Sequence, residues 1–229
     1  MIRPTLTFCF LAASAAFSQA PDKSALQQRL GEVKQSIAQN QAQLKQYAWT
    51  ETTVVSLKGD EKKRTQADCK YGPDGKLQKT PVGDAPPPKS KGRKGVKGKI
   101  VANKIDDMKK YMDRVASLVK RYLPPDPKAM QAAFKSGKAT MDAASGALEF
   151  HDYVKPGDKF IFTFDTATKK LTSVEVTSFL DDAKDAVTVK AHFSSLADGT
   201  NFLEESVLDA RAKEIQVKTT NSGHRKAGS

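Results

Sequence analysis

The chain has 229 residues and a formal charge of +12, from 38 Lys and Arg against 26 Asp and Glu. With 38% hydrophobic residues it can bury a core, as one domain or at most two. Three His and two Cys exclude a zinc module built on repeated Cys and His pairs, and exclude a disulfide framework.

Residues 1–20 read MIRPTLTFCFLAASAAFSQA. Arg3 gives a positive start, Leu6 to Phe17 is an apolar run too short for a membrane span, and small residues follow to Ala16 and Ala20. The pattern is that of a secretory signal peptide, so the chain is expected to be periplasmic or secreted, with no transmembrane segment in the mature protein. Cys9 is not placed for a lipid anchor, and Cys69 would then stand alone, without an internal partner for a disulfide.

Over 24–46, Leu26, Leu30, Val33, Ile37, Leu44 and Tyr47 follow a three-four spacing, with Asn40 in the remaining seam position. This predicts an amphipathic helix, packed on the protein's own sheet in preference to a partner helix. From Tyr47 to Leu57 the period becomes two and β-branched residues dominate, which predicts a strand. A turn at Lys58-Gly59-Asp60, a strand over 62–71, a turn at Pro73-Asp74-Gly75 and a short strand from Leu77 to Val82 complete a first set of hairpins.

Residues 84–99, DAPPPKSKGRKGVKGK, carry no apolar periodicity and read as a mobile basic loop. Lys89, Lys91, Arg93, Lys94, Lys97 and Lys99 form the densest charge in the chain and are the candidate anion-binding residues. The chain holds 30 Lys and eight Arg, which favours loose attraction over bidentate readout. No aromatic residue is interleaved to stack bases, so nucleic acid is not an expected partner, whereas an anionic envelope surface is. A helix is predicted over 101–123, ended by Pro124-Pro125, and a short one from Pro127 to Phe134.

The remainder reads as strands and turns. Strands are predicted at Ala147 to Val154, around Phe160, Phe162 and Phe164, from Leu171 to Phe179, through Val187 to Phe193, and over 201–210 and 213–220. Residues 221–229 read as a frayed tail after a single domain over 21–220. The fold class is α+β: a curved antiparallel sheet of about seven to nine strands with two main helices packed on one face.

The phrases YVKPGDKFIFTFD, LDDAKDAVTV, LADGTNF and AKEIQVKTTNS, within 147–223, resemble a group of uncharacterised secreted bacterial proteins. That resemblance brings no activity with it. The layout of helix, long aromatic strand, hairpin, helices and meander resembles the periplasmic lipoprotein-carrier half-barrels of the LolA type. It implies a sheet with helices in its concave face and acyl chains bound between them, although the basic Gly-Lys loop departs from that family.

His151, His192 and His224 lack metal-ligand spacing, and Asp181, Asp182 and Asp185 lack the order of a calcium loop. No G-x-S-x-G elbow occurs, and the pairs Asp106-Asp107 and Glu204-Glu205 are adjacent residues that point apart. Gly98-Lys99 lacks the earlier Gly and the following Ser or Thr of a phosphate loop. A hydrolase would need a polar cluster converging on His151 or His192. The sequence therefore points to a non-catalytic binding or carrier protein with no cofactor and no metal. Tyr47, Trp49, Phe160, Phe162 and Phe164 are its candidate cavity residues for an apolar or lipid-like ligand. The alternative is an envelope-associated interaction protein that contacts anionic surfaces through 89–99.

Overall fold

The structure, a computed structural model, describes residue 35 and residues 38–83, 96–142 and 144–227, with side chains in the helix from Val96 described from residue 103 onward. The predicted signal sequence and most of the predicted N-terminal helix lie outside these residues. So does the 84–95 part of the basic loop.

Ten strands form one antiparallel sheet. They are β1 (Tyr47–Leu57), β2 (Asp60–Tyr71), β3 (Leu77–Val82), β4 (Ala139–Asp142), β5 (Ala147–His151), β6 (Lys159–Phe164), β7 (Leu171–Phe179), β8 (Ala186–Ser195), β9 (Asn201–Ala210) and β10 (Ile215–Lys226). Their order is β3-β2-β1-β10-β9-β8-β7-β6-β5-β4. Two meanders are thus joined where the first strand pairs with the last. The sheet is open and curved, half-barrel-like, and the fold class is α+β.

Helix α1 (Val96–Val119) and the shorter α2 (Pro127–Lys135) follow the first meander. Asp126 caps α2, its side chain accepting from the Lys128 N–H, with Pro127 in the first turn. The N-terminal helix is described only at residue 35 and over 38–44. Its Asn40 grips the backbone of Asn201 from both sides, donating to the carbonyl at 2.7 Å and accepting from the N–H at 2.6 Å. The polar seam residue therefore docks this helix against the start of β9.

One face of the sheet is apolar because every second side chain is. A single rung runs Phe150, Phe160, Val176, Val189, Leu208, Val217 and Val55 across seven strands in register. Tyr111, Val115, Leu118 and Tyr122 of the α1 segment and Ala133 of α2 close over its β5–β8 part. The opposite face alternates charges across strands, as in Lys159 with Glu149 at 2.7 Å and Lys218 with Glu205 at 2.7 Å. One face packed and one wet is the usual solution for an antiparallel sheet.

Several expected boundaries move. The tenth strand exceeds the expected range because Ala139–Asp142, too short to show a period, adds β4 at the edge. Residues 221–226 are no frayed tail: they extend β10, with Tyr47 opposite Lys226. Residues 96–99, expected in the loop, are helical; Lys is a good helix former, and the single Gly98 costs only about 1 kcal/mol in a helix of this length. The helix ends before 123 because its last turn tightens, with Tyr122 N–H bonding to the Val119 carbonyl at 2.9 Å.

Candidate functional site

The five aromatic candidates fall into two places. Phe160 and Phe162 of β6 are buried, and Phe164 is half-buried beside them. Phe160 packs on Tyr153 at 5.1 Å, on Tyr122 at 5.8 Å and on Phe162 at 4.4 Å between ring centroids. Tyr122, Phe150 and Phe160 are each 0% exposed, so the layer between α1 and β5–β7 is filled by the protein's own rings. Tyr47 and Trp49 lie on β1, five strand positions away in the sheet order, or about 24 Å along the sheet. The structure does not bring the two sets to one cavity.

Under the helices, sequence reasoning missed a buried polar cluster. The Tyr122 hydroxyl donates to Asp158 Oδ2 at 2.5 Å and lies 2.9 Å from Ser178 Oγ. Asp158 also accepts from the N–H groups of Tyr153, Val154 and Lys155. The K-P-G-D phrase is thus a turn wound around its own carboxylate, and it ends β5 at His151, short of the expected Val154. Lys155 Nζ donates to the carbonyls of Phe179 and Leu180 and sits over the Phe179 ring. Burial first, and then the Asp158 carboxylate, raise the Tyr122 pKa well above that of a free phenol. With donors and acceptors matched, this cluster fixes the α1 end to the sheet.

Farther along α1, Tyr111 donates to Asp185 at 2.8 Å; burial, followed by that bond, pushes its pKa up to about 12. Arg114 pairs with Asp181 at 2.6 Å. The Asp-rich turn therefore anchors the helix. His151 and His192 lie on the wet face, 3.0 Å from Glu149 and 3.9 Å from Glu204.

Beyond α1 the apolar face continues without a helix over it among the described residues. Leu208, Val217, Val55 and Leu57 are half-buried and, like Met108 and Met112 of α1, pack at the edge of the buried core. They form the margin of the apolar face. Its far end holds an aromatic group. Trp49 donates to Asn221 Oδ1 at 3.0 Å, tilts on Tyr71 at 5.8 Å and stacks on His224 at 5.8 Å. Phe202 is tilted on His224 at 4.0 Å between ring centroids. Tyr47 crosses to the β8–β9 turn, where its hydroxyl meets Asp198 at 2.5 Å. That bond, with the Thr200 N–H, holds the Asp198 carboxyl down to about 2. Cys69, level with Trp49 on β2, is free and buried, and burial raises its thiol pKa.

On the wet side, the β1–β2 and β9–β10 turns enclose an open cleft of about 420 Å³ lined by Ser56, Lys58, Asp209, Arg211, Glu214 and Gln216, with both signs of charge. Of the basic candidates, Lys97 and Lys99 belong to α1, whereas Lys89, Lys91, Arg93 and Lys94 lie outside the described residues. No group of three or more metal-ligating side chains, and no helix long and apolar enough to cross a membrane, occurs among the described residues. Comparison with known protein families, curated proteins and solved structures finds no match to this chain.

Proposed function

We propose that this is a non-catalytic binding or carrier protein, acting after export in the periplasm or outside the cell, whose ligand is apolar or lipid-like. The observation that carries the reading is that, among the described residues, the helices cover only part of the apolar sheet face. The apolar rung runs out from beneath α1 to Leu208, Val217 and Val55 without a break in register, and this margin is the trough we assign to the ligand. The ligand's place moves accordingly, from between helix and sheet, where rings fill the space, to the helix margin. Burying a chain there draws on about 25 cal/mol per Å² of apolar surface. A fluorescent fatty acid tests it: saturable binding to the wild type is expected, weakened at least tenfold by Val217→Asp with the fold intact by circular dichroism. Equal binding by both proteins, or none by the wild type, discards the trough.

A second reading, contact with an anionic envelope surface, is favoured by Ile105, which is 65% exposed on the same helix that contains Lys97 and Lys99. Each base near such a surface contributes about 1 kcal/mol. Deleting 89–95 should then reduce binding to anionic vesicles, and salt should do the same; unchanged binding rejects this reading.

A further inference from the structure

We infer that His224 is a pH-sensitive latch, whose protonation in mild acid releases the end of β10 from β1 and exposes Trp49 to solvent. The inference goes beyond the carrier reading and does not depend on it.

The imidazole contacts two rings: Trp49, nearly parallel at 15° and 5.8 Å, and Phe202, tilted at 48° and 4.0 Å between centroids. It is half-buried, and neither nitrogen has a hydrogen-bond partner or an acid within ion-pair reach among the described residues. The charged groups on each neighbouring element are directed elsewhere. On β1, Glu51 pairs with Lys79 at 2.6 Å, and Tyr47 holds Asp198 of the β8–β9 turn. Asp68 of β2 lies 3.9 Å from Arg225 of β10, and Glu204 of β9 faces His192. Lys226 of β10 stands opposite Tyr47 and acts on Asp198, and Lys70 of β2 stands opposite Ala48.

The neutral imidazole suits this place, and burial alone lowers its proton affinity from the ordinary 6.5. An imidazolium carries two N–H donors in its own plane, and neither meets an oxygen acceptor among the described residues, whereas water would satisfy both. Attraction of the cation to the indole face opposes this only in part. The opened strand end takes a proton at the ordinary value and the closed one below it. The contribution to closure is therefore complete above 6.5 and declines as the pH falls through the depressed value. Past Asn221, whose side chain donates to the Leu203 carbonyl of β9 at 2.9 Å, the strand end has a single ladder partner. Beyond Thr220, β10 leaves β9 and pairs with β1 alone, across a register shift between Ala48 and Thr50. Such an end can open locally without unfolding the core.

The test uses the full chain and two readouts. Amide protection factors across Asn221–Lys226 report the strand end, and acrylamide quenching reports Trp49, the chain's single tryptophan. From about pH 7.5 to about pH 5.5, the wild type should lose protection several-fold and gain quenching, while amides in β6–β8 hold steady. His224→Phe keeps the ring and removes the proton site, so both readouts should stay flat. His224→Gln should behave likewise, and serves if the Phe variant does not fold. A flat wild type, an equal response in either variant, or protection that rises on acidification overturns the latch.

Discussion

Two rungs of the same sheet face diverge as they leave the helices. One runs Phe150, Phe160, Val176, Val189, Leu208, Val217, Val55 and ends on Lys63. Its neighbour runs Leu148, Phe162, Val174, Ala191 and then turns polar through Ser206, Thr219, Thr53 and Thr65. Beneath α1 and α2 both are buried; on β1 both are half-buried, and on β2 they end on exposed Lys63 and Thr65. The backbone pairing is equally regular at the two ends. What differs, among the described residues, is the side-chain layer above it: one half is held by packing under the helices, the wing by its ladder, local polar bonds and the small buried group of Tyr47, Trp49 and Cys69.

That contrast is broken most directly in the covered half. Phe160→Ala should cost about 3–5 kcal/mol in denaturant unfolding, because it empties a site closed on every side. The matching truncation on the wing, Thr65→Ala, should stay within about 0.5 kcal/mol, and similar losses at the two sites would erase the distinction. Next in size, Tyr122→Phe leaves Asp158 and Ser178 short of one partner and should cost about 1–3 kcal/mol by the same measurement.

Smaller effects belong to the wing and its rim. Tyr47→Phe removes the hydroxyl that holds Asp198 near 2. Because that carboxyl is depressed below its ordinary 3.8 in the folded state, its contribution is present above 3.8 and lost as the pH falls toward 2. Thermal melts of wild type and variant should therefore differ at neutral pH and converge in strong acid. On the rim, Lys79→Met breaks the exposed pair with Glu51 and should change stability by less than about 1 kcal/mol.

Much of the fold was legible in the residues. Alternation marked β1, β3, β7 and β9 at their observed ends, and the wet face could be foreseen from Thr188, Lys190 and His192 opposite Val187, Val189 and Ala191. Four-residue β4 was too short to show a period, and the end of β10 looks polar where only β1 pairs with it. The site was harder to foresee. Tyr47 and Trp49 share β1's face with Val55, as alternation requires, but nothing local reveals that β10 separates them from the meander holding Phe160. Asp158 announces a turn; that Tyr122 reaches it from another element is a tertiary fact. Asn40, an interruption in a greasy stripe, gave a usable signal: a polar residue in a seam needs a partner, which Asn201 supplies.

The pairing of the first strand with the last sets an order of events during synthesis. Tyr47 has no companion on its β10 side until Lys226 has left the ribosome and cleared its exit. The N-terminal hairpins must therefore wait with one border unsatisfied while the downstream meander assembles from near neighbours, a non-local closure of the slow kind. For all of that interval β1 is a ready template for a stray strand. A chain cut a dozen residues early would keep that vulnerability for good.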